Sequence, residues 1–171
     1  MNLTNPGYSK YALVKEMMQT IEVVKQFDPL QTKDVAREIS SVGRLFLTGE
    51  GSSRIFPAKN AIRKAMKQGL NLWISTDGSR QTMQYDLRKF AVFCASNSGR
   101  TKEVVLLAKK LAAAGIERRF AITANRDTLL EKECKKTFVL NCGWEQAVAA
   151  TKSVIEQTLF YESILWNIRG I

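Results

Sequence analysis

Residues 90–101 have the sequence FAVFCASNSGRT. The first six residues form a continuous apolar run, which is typical of a strand buried on both faces of a parallel sheet. Three hydroxyls and an amide then follow within six residues, Ser96 to Thr101, where an amphipathic helix is predicted to begin. Because a helix N-terminus carries unpaired N–H groups and a partial positive charge, this stretch predicts a phosphate site. The alternative is simple helix capping by Ser98 or Thr101.

The same strand-then-helix rhythm extends in both directions along the chain. Short apolar runs predict four further strands, at 45–48, 70–75, 120–123 and 137–140. Helices are predicted between them, at 53–67 and 101–114 and from about Asp127, and a last helix at about 144–167. This alternation predicts an α/β fold: a five-stranded parallel sheet in a three-layer α/β/α sandwich.

Two helical patterns precede the first strand. Apolar residues recur at helical spacing from Tyr11 to Val24, and Asp28-Pro29 ends that helix. A second helix is predicted to run through Val35 to Val42, with Gly43 as its stop. With 171 residues and no linker, the chain is predicted to be one domain, with leading helices in 1–43 and an α/β core in 44–171.

Composition narrows the class of protein. The hydrophobic share is 45% and the charged share 25%, as in soluble globular proteins. No long apolar segment and no secretory pattern is visible, so we expect a cytoplasmic protein without membrane contact, with its three cysteines reduced. The absence of histidine and of a close cysteine pair argues against a metal site.

The net charge of +10 favours an anionic partner, either a nucleic acid or a phosphorylated metabolite. No helix-turn-helix precedes the core and no aromatic stacking motif is visible, so the sequence disfavours nucleic acid. Many of the basic residues recur at helical spacing, which also fits ordinary solvated helix faces.

Two more polar segments follow predicted strands. Gly49-Glu50-Gly51-Ser52-Ser53 comes after the first strand, and there glycines, hydroxyls and a helix start either approach a ligand or form a turn capped by Ser53. Residues 145–152, EQAVAATK, follow the fifth strand, and taken alone they are ambiguous. Neither the dinucleotide fingerprint nor a Walker loop is present, so no cofactor is predicted.

Together these three segments resemble the SIS (sugar isomerase) family of phosphosugar-binding domains. The resemblance covers about residues 30–168 and implies a flavodoxin-like strand order 2-1-3-4-5. It further implies that a phosphorylated sugar is the ligand and that one set of residues binds it: Gly51, Ser52, Ser53, Ser96, Asn97, Ser98, Thr101, Val148, Ala149 and Lys152.

The third segment looks most like the first SIS half of two-SIS enzymes, such as the isomerase part of glucosamine-6-phosphate synthase and the SIS-type amino-sugar deaminases. That likeness implies ketose–aldose isomerisation or amino-sugar deamination. Proton transfer between C1 and C2 needs a base, and Glu50 and Glu145 are the candidates. The missing histidine favours the alternative, a non-catalytic phosphosugar sensor or half-enzyme module.

The resemblance also implies an oligomer, because SIS sites are usually completed by a neighbouring subunit. We expect a homo-oligomer (a dimer or tetramer) or pairing with a second SIS chain. The apolar residues Phe160, Tyr161, Ile164, Leu165 and Trp166 of the last helix predict either that interface or ordinary core packing.

Overall fold

The computed structural model describes residues 3–170, and its strands and helices alternate through most of the chain. The strands are β1 (Arg44–Gly49), β2 (Trp73–Gly78), β3 (Ala91–Ala95), β4 (Arg119–Thr123) and β5 (Lys136–Val139). The helices are α1 (Pro6–Ser9), α2 (Ala12–Gln26), α3 (Lys33–Val42), α4 (Ser52–Lys67), α5 (Ser79–Thr82), α6 (Lys102–Ala113), α7 (Leu129–Glu133) and α8 (Lys152–Arg169). A 3₁₀ turn, Pro29–Thr32, lies between α2 and α3.

The five strands form one parallel sheet in the order β2-β1-β3-β4-β5, which confirms the predicted fold class. The strand order reverses between β1 and β3, so the connections that leave these two strands diverge. In open parallel sheets, ligands bind at the carboxyl ends of the strands beside such a reversal. The segments that begin at Glu50 and Ser96 both start at that edge.

Alternate side chains of the central strand pack into different layers, because strand residues point to opposite faces in turn. Phe93 lies with the residues of α3, α4 and α8, where its ring is 5.8 Å from that of Phe160. Val92 and Cys94 lie with the residues of α6 and α7 on the other face. Both faces are therefore covered, as the three-layer prediction requires.

The leading segment packs on α8, at the opposite end of the chain. The Thr32 hydroxyl lies 2.9 Å from the Ser163 hydroxyl, and Asn167 Nδ2 donates to the Pro29 carbonyl at 2.8 Å. Thr32 and Ser163 are both buried, so these polar groups meet each other instead of water.

Two predicted boundaries were wrong. The last helix begins at Lys152, not near Trp144, because the side chain of Glu145 folds the intervening residues into a loop by accepting the Thr151 N–H at 2.7 Å. The second strand begins at Trp73 instead of Leu70, since the Leu70 N–H still bonds to the Ala65 carbonyl at the end of α4.

The surface predicted on the last helix also differs from the structure. Phe160, Tyr161, Ile164 and Leu165 are all at most 1% exposed and belong to the core, so the core-packing interpretation holds for them. Of the five residues, Trp166 is the one with a largely exposed side chain, at 57%.

Candidate functional site

The loop after β3 gathers its hydroxyl groups into one network. The hydroxyls of Ser96 and Thr101 are 2.8 Å apart, and the Ser98 hydroxyl is 3.5 Å from that of Ser96. The Arg100 N–H donates to the Ser98 hydroxyl at 3.2 Å. Ser96 is buried while Ser98 is exposed, so the network leads from the sheet edge to the surface.

The helix that follows this loop carries no side-chain cap. Thr101 occupies the N-cap position of α6, but its side chain makes no capping bond, and Thr101 Oγ1 is turned towards Ser96 instead. The predicted alternative, in which Ser98 or Thr101 merely caps the helix, is therefore not what the structure shows. The first-turn N–H groups of α6 keep their capacity to bind an anion beside the three hydroxyls.

Gly99 holds the turn of this loop at a position where no other residue fits. Its φ is +62°, and an added Cβ would lie 2.3 Å from Cβ of Thr128. Its carbonyl accepts the Leu130 N–H at 3.1 Å, and Thr128 caps α7 by a reciprocal bond with Glu131. The loop is therefore seated directly on the β4–α7 connection.

Asn97 links this loop to the beginning of α8. Its Nδ2 donates to the Ser153 hydroxyl at 2.5 Å, and Ser153 in turn donates to Glu145. The Asn97 carbonyl accepts bonds from the Ala124 N–H and from Asn125 Nδ2, both at 2.9 Å. The predicted residues Asn97 and Glu145 are thus brought together through one shared serine.

Glu145 is a half-buried carboxylate whose two oxygens both accept hydrogen bonds. Oε1 accepts from the Thr151 N–H at 2.7 Å and from the Thr151 hydroxyl at 2.9 Å, and Oε2 accepts from Ser153. Burial raises the pKa of Glu145, but the bonds from Ser153 and Thr151 outweigh it, and the pKa lies below its ordinary value. Glu145 is therefore ionised at neutral pH.

A cleft of about 200 Å³ lies between the 96–101 loop and the segment after β5. Val148 is fully exposed at its edge, and Trp144 is 69% exposed. Ala149 is exposed next to it without lining the cleft. The lining residues are Asn97, Ser98, Ala124, Asn125, Gly143, Trp144, Glu145, Ala147, Val148 and Ala150.

The loop after β1 presents a second helix start at the same edge of the sheet. Gly51, with φ +55°, is the N-cap of α4, so Ser53 is not the cap but lies within the first turn beside Ser52. The Ser53 carbonyl accepts a bond from Gln157 of α8 at 2.6 Å. Both serines are half-buried, and their hydroxyls carry no side-chain cap of α4.

Glu50 is directed towards β2 and not towards the cleft. Its Oε1 accepts the Ser79 N–H at 2.8 Å, and Glu50 is not among the residues that line the cleft. The carboxylate thus joins the end of β1 to the segment after β2. The structure separates the two candidate bases, with Glu145 at the cleft and Glu50 outside it.

Lys152 is 8% exposed and also points away from the cleft. Its ammonium donates to Gln19 Oε1 at 3.0 Å and lies 3.5 Å from the Trp144 carbonyl. It thereby joins α2 to the loop that precedes α8.

Two cleft residues were not predicted from the sequence. Asn125 lies just beyond the carboxyl end of β4, and the strand-end rule that selected the other segments also applies there. Trp144 was missed because it was placed inside a helix. Within residues 3–170, no three potential metal ligands converge, and the helices there are too short or too polar to span a membrane.

The family model for the SIS domain matches residues 38–166. The chain belongs to the SIS domain family. A search of curated proteins gave no match to this SIS domain. The match to the family model begins within α3 and ends within α8, so it includes all three polar segments.

Solved structures share the fold of this SIS domain at low sequence identity. The C-terminal domain of glucosamine-fructose-6-phosphate aminotransferase from Francisella tularensis has a TM-score of 0.70 and 19% identity, over 98% of this chain and 51% of that one. The Vibrio vulnificus NanR protein complexed with ManNAc-6P has a TM-score of 0.69 and 12% identity, over 98% of this chain and 64% of that one.

A third structure, E. coli CFT073 c3406 in complex with a phosphosugar, has a TM-score of 0.68 and 18% identity, over 96% of this chain and 92% of that one. This SIS domain spans about half the length of several structures that it matches, including the F. tularensis domain.

Proposed function

We propose that this SIS domain binds the phosphate group of a phosphorylated sugar at the 96–101 loop. The observation that carries the proposal is the meeting of three hydroxyls, those of Ser96, Ser98 and Thr101, at the uncapped N-terminus of α6. A dianionic phosphate matches such a group of N–H and O–H donors. The phosphosugar complexes of NanR and of c3406 support this ligand class.

The sugar would then occupy the adjoining cleft. Asn97, Asn125 and Glu145 supply polar groups at its walls, and Val148 supplies apolar surface. Ser52 and Ser53 present a second helix start at the same sheet edge, so we propose that they meet the phosphate or the sugar hydroxyls. In this arrangement Lys152 acts on the loop and not on the sugar, because its ammonium bonds to Gln19.

A thermal-shift screen tests this function. The panel contains hexose, hexosamine and pentose phosphates, each paired with its unphosphorylated parent sugar. A ligand at 100 times its Kd adds about 2.7 kcal/mol to the free energy of unfolding, which shifts Tm measurably. We expect at least one phosphosugar to raise Tm and its parent sugar not to. Equal shifts for glucose and glucose 6-phosphate would overturn the phosphate site.

Isomerisation or deamination of the bound sugar is the second candidate, and the position of Glu145 favours it. An ionised carboxylate at the cleft wall is able to take the proton that moves between C1 and C2. Its oxygens already accept bonds from Thr151 and Ser153, however, and the chain has no histidine to act as the partner acid. Binding is therefore the better supported function, and catalysis would draw a further group from another chain.

Substituting the two carboxylates separates these candidates. If Glu145 is the base, Glu145→Gln should lower kcat by about 100-fold or more while phosphosugar affinity changes little. Glu50→Gln should leave kcat nearly unchanged, because Glu50 bonds to Ser79 and lies outside the cleft. The measurement is turnover of the phosphosugar found in the screen. Unchanged turnover in the Glu145→Gln variant would exclude Glu145 as the base.

We also propose that a second copy of this chain covers an apolar groove formed by α2, α4 and α8. The groove has a volume of about 700 Å³ and includes Met17, Phe56 and Ile155, with Phe56 63% exposed. Several related structures have about twice the length of this chain, so they hold as much chain again as the fold needs. A second copy would supply the equivalent surface here.

The oligomer proposal predicts that Phe56→Glu gives a monomer. A charge in the centre of an apolar interface is strongly unfavourable, so sedimentation velocity should show a dimer or larger species in the original protein and a monomer in this variant. Met66→Glu is the matched control, since Met66 is also on α4 and 77% exposed but lies outside the groove. A monomeric original protein would contradict the proposal.

A further inference from the structure

A carboxylate of the leading helix α2 reaches the loop that forms one wall of the cleft. Glu16 is 6% exposed, and its Oε1 accepts the Gln146 N–H at 2.5 Å. The same carboxylate accepts the Ala147 N–H, at 3.3 Å from Oε2 and 3.4 Å from Oε1. Two consecutive backbone N–H groups of the loop are therefore paired with one side chain that is 130 positions away.

One turn further along the same helix, Gln19 makes a second connection. Its Oε1 accepts a bond from the Lys152 ammonium, which also lies 3.5 Å from the Trp144 carbonyl. Glu16 and Gln19 are three residues apart and so lie on one face of α2. Through them α2 contacts both the middle of the loop and its end.

The loop has little regular structure of its own. Residues 140–151 lie between β5 and α8 and form neither helix nor strand. Six residues of this segment line the cleft: Gly143, Trp144, Glu145, Ala147, Val148 and Ala150. A loop without a backbone ladder takes its conformation from side-chain contacts, and α2 supplies several of them.

We infer that Glu16 and Gln19 are positioning residues, which hold the sugar-side wall of the cleft in its binding conformation. This inference rests on the proposed phosphosugar function. Neither residue lines the cleft, so they act through the loop and not by contact with the ligand. The phosphate end of the site, at the N-terminus of α6, makes no hydrogen bond to either residue.

This division of the site has a measurable consequence. A loop that visits other conformations lowers apparent affinity in proportion to the fraction of molecules that stay competent to bind. Removing the Glu16 carboxylate should therefore weaken phosphosugar binding about tenfold, since its two N–H partners lose their acceptor. The affinity for inorganic phosphate should change less than about twofold, because phosphate needs only the 96–101 loop.

The experiment measures two dissociation constants by calorimetry, one for the phosphosugar found in the screen and one for inorganic phosphate. Glu16→Gln keeps one acceptor oxygen and should lie between the original protein and Glu16→Ala. Glu22→Ala is the matched control, because Glu22 is on α2, is largely exposed and bonds only to Lys25. It should change neither constant.

Hydrogen exchange of the Gln146 and Ala147 amides, measured without ligand, provides the second readout. Both amides should exchange faster in Glu16→Ala than in the original protein or in Glu22→Ala. Unchanged exchange would overturn the inference, and so would an equal loss of affinity for phosphosugar and phosphate. If the original protein binds no phosphosugar, the proposed function fails, and the exchange data still decide whether α2 holds the loop.

Discussion

The double substitution Ser98→Ala/Thr101→Ala is expected to weaken phosphosugar binding by at least about 30-fold. Each hydroxyl that bonds a charged phosphate contributes about 1–3 kcal/mol, so the loss of two amounts to about 2–6 kcal/mol. The Thr101 hydroxyl also orders Ser96, 2.8 Å away, and its removal loosens the third hydroxyl of the network. Calorimetric titration with the phosphosugar found in the screen measures the change.

A single substitution elsewhere in the chain provides the control for that experiment. Ser41→Ala removes a hydroxyl that bonds only to the Glu38 carbonyl within α3, far along the chain from the loop. Its affinity should match that of the original protein. If the double variant also keeps its affinity while its Tm is unchanged, phosphate does not bind at the 96–101 loop.

Gly99→Ala is expected to lower the free energy of unfolding by about 2–5 kcal/mol. The left-handed backbone at φ +62° contributes about 1–2 kcal/mol of this for a residue with a Cβ. The rest comes from overpacking against Thr128, whose Cβ would lie 2.3 Å away, typically about 1–3 kcal/mol. For a domain of this length Tm should fall by about 5–15 °C, as measured by circular dichroism or calorimetry.

Gly115→Ala separates the two contributions. Gly115 also has a positive φ, +70°, but an added Cβ there would meet nothing within 4 Å. This variant should show the backbone effect alone, about 1–2 kcal/mol. Equal Tm values for the two variants would mean that the loop moves away from Thr128 without loss, and that the close contact does not hold it in place.

Much of the fold could be predicted because continuous apolar strands alternate with amphipathic helices. The run at 90–95 marked the central strand, and β3 occupies Ala91–Ala95. Gly43 marked the end of α3, where the helix closes with φ +67°. Such signals are local, so a single sequence contains them.

The segment before α8 was predicted less well, because its conformation depends on distant residues. EQAVAATK contains good helix formers, and local propensity favours a helix there. In the structure the Glu145 carboxylate bonds to Thr151 and Ser153, and Glu16 takes the N–H groups of Gln146 and Ala147. A contact over 130 positions leaves no periodic trace in the sequence.

The candidate site was predicted in part for the same reason. Strand ends identified Asn97, Ser98 and Glu145, which line the cleft. Glu50 and Lys152 follow the same pattern in the sequence, yet their partners Ser79 and Gln19 draw them elsewhere. The direction of a long charged side chain depends on such partners, and sequence spacing does not encode it.

The packing of the leading helices on α8 also bears on how the chain folds during its synthesis. Buried bonds join Pro29 and Thr32 to Ser163 and Asn167, over 131 to 138 positions. A ribosome that adds about 5–20 residues per second needs on the order of ten seconds to cover that distance. During this interval the apolar face of α3, with Val35, Ala36 and Ile39, has no partner. The first helices to leave the ribosome therefore dock last, and the nascent chain carries an exposed apolar surface that chaperones recognise until α8 is made.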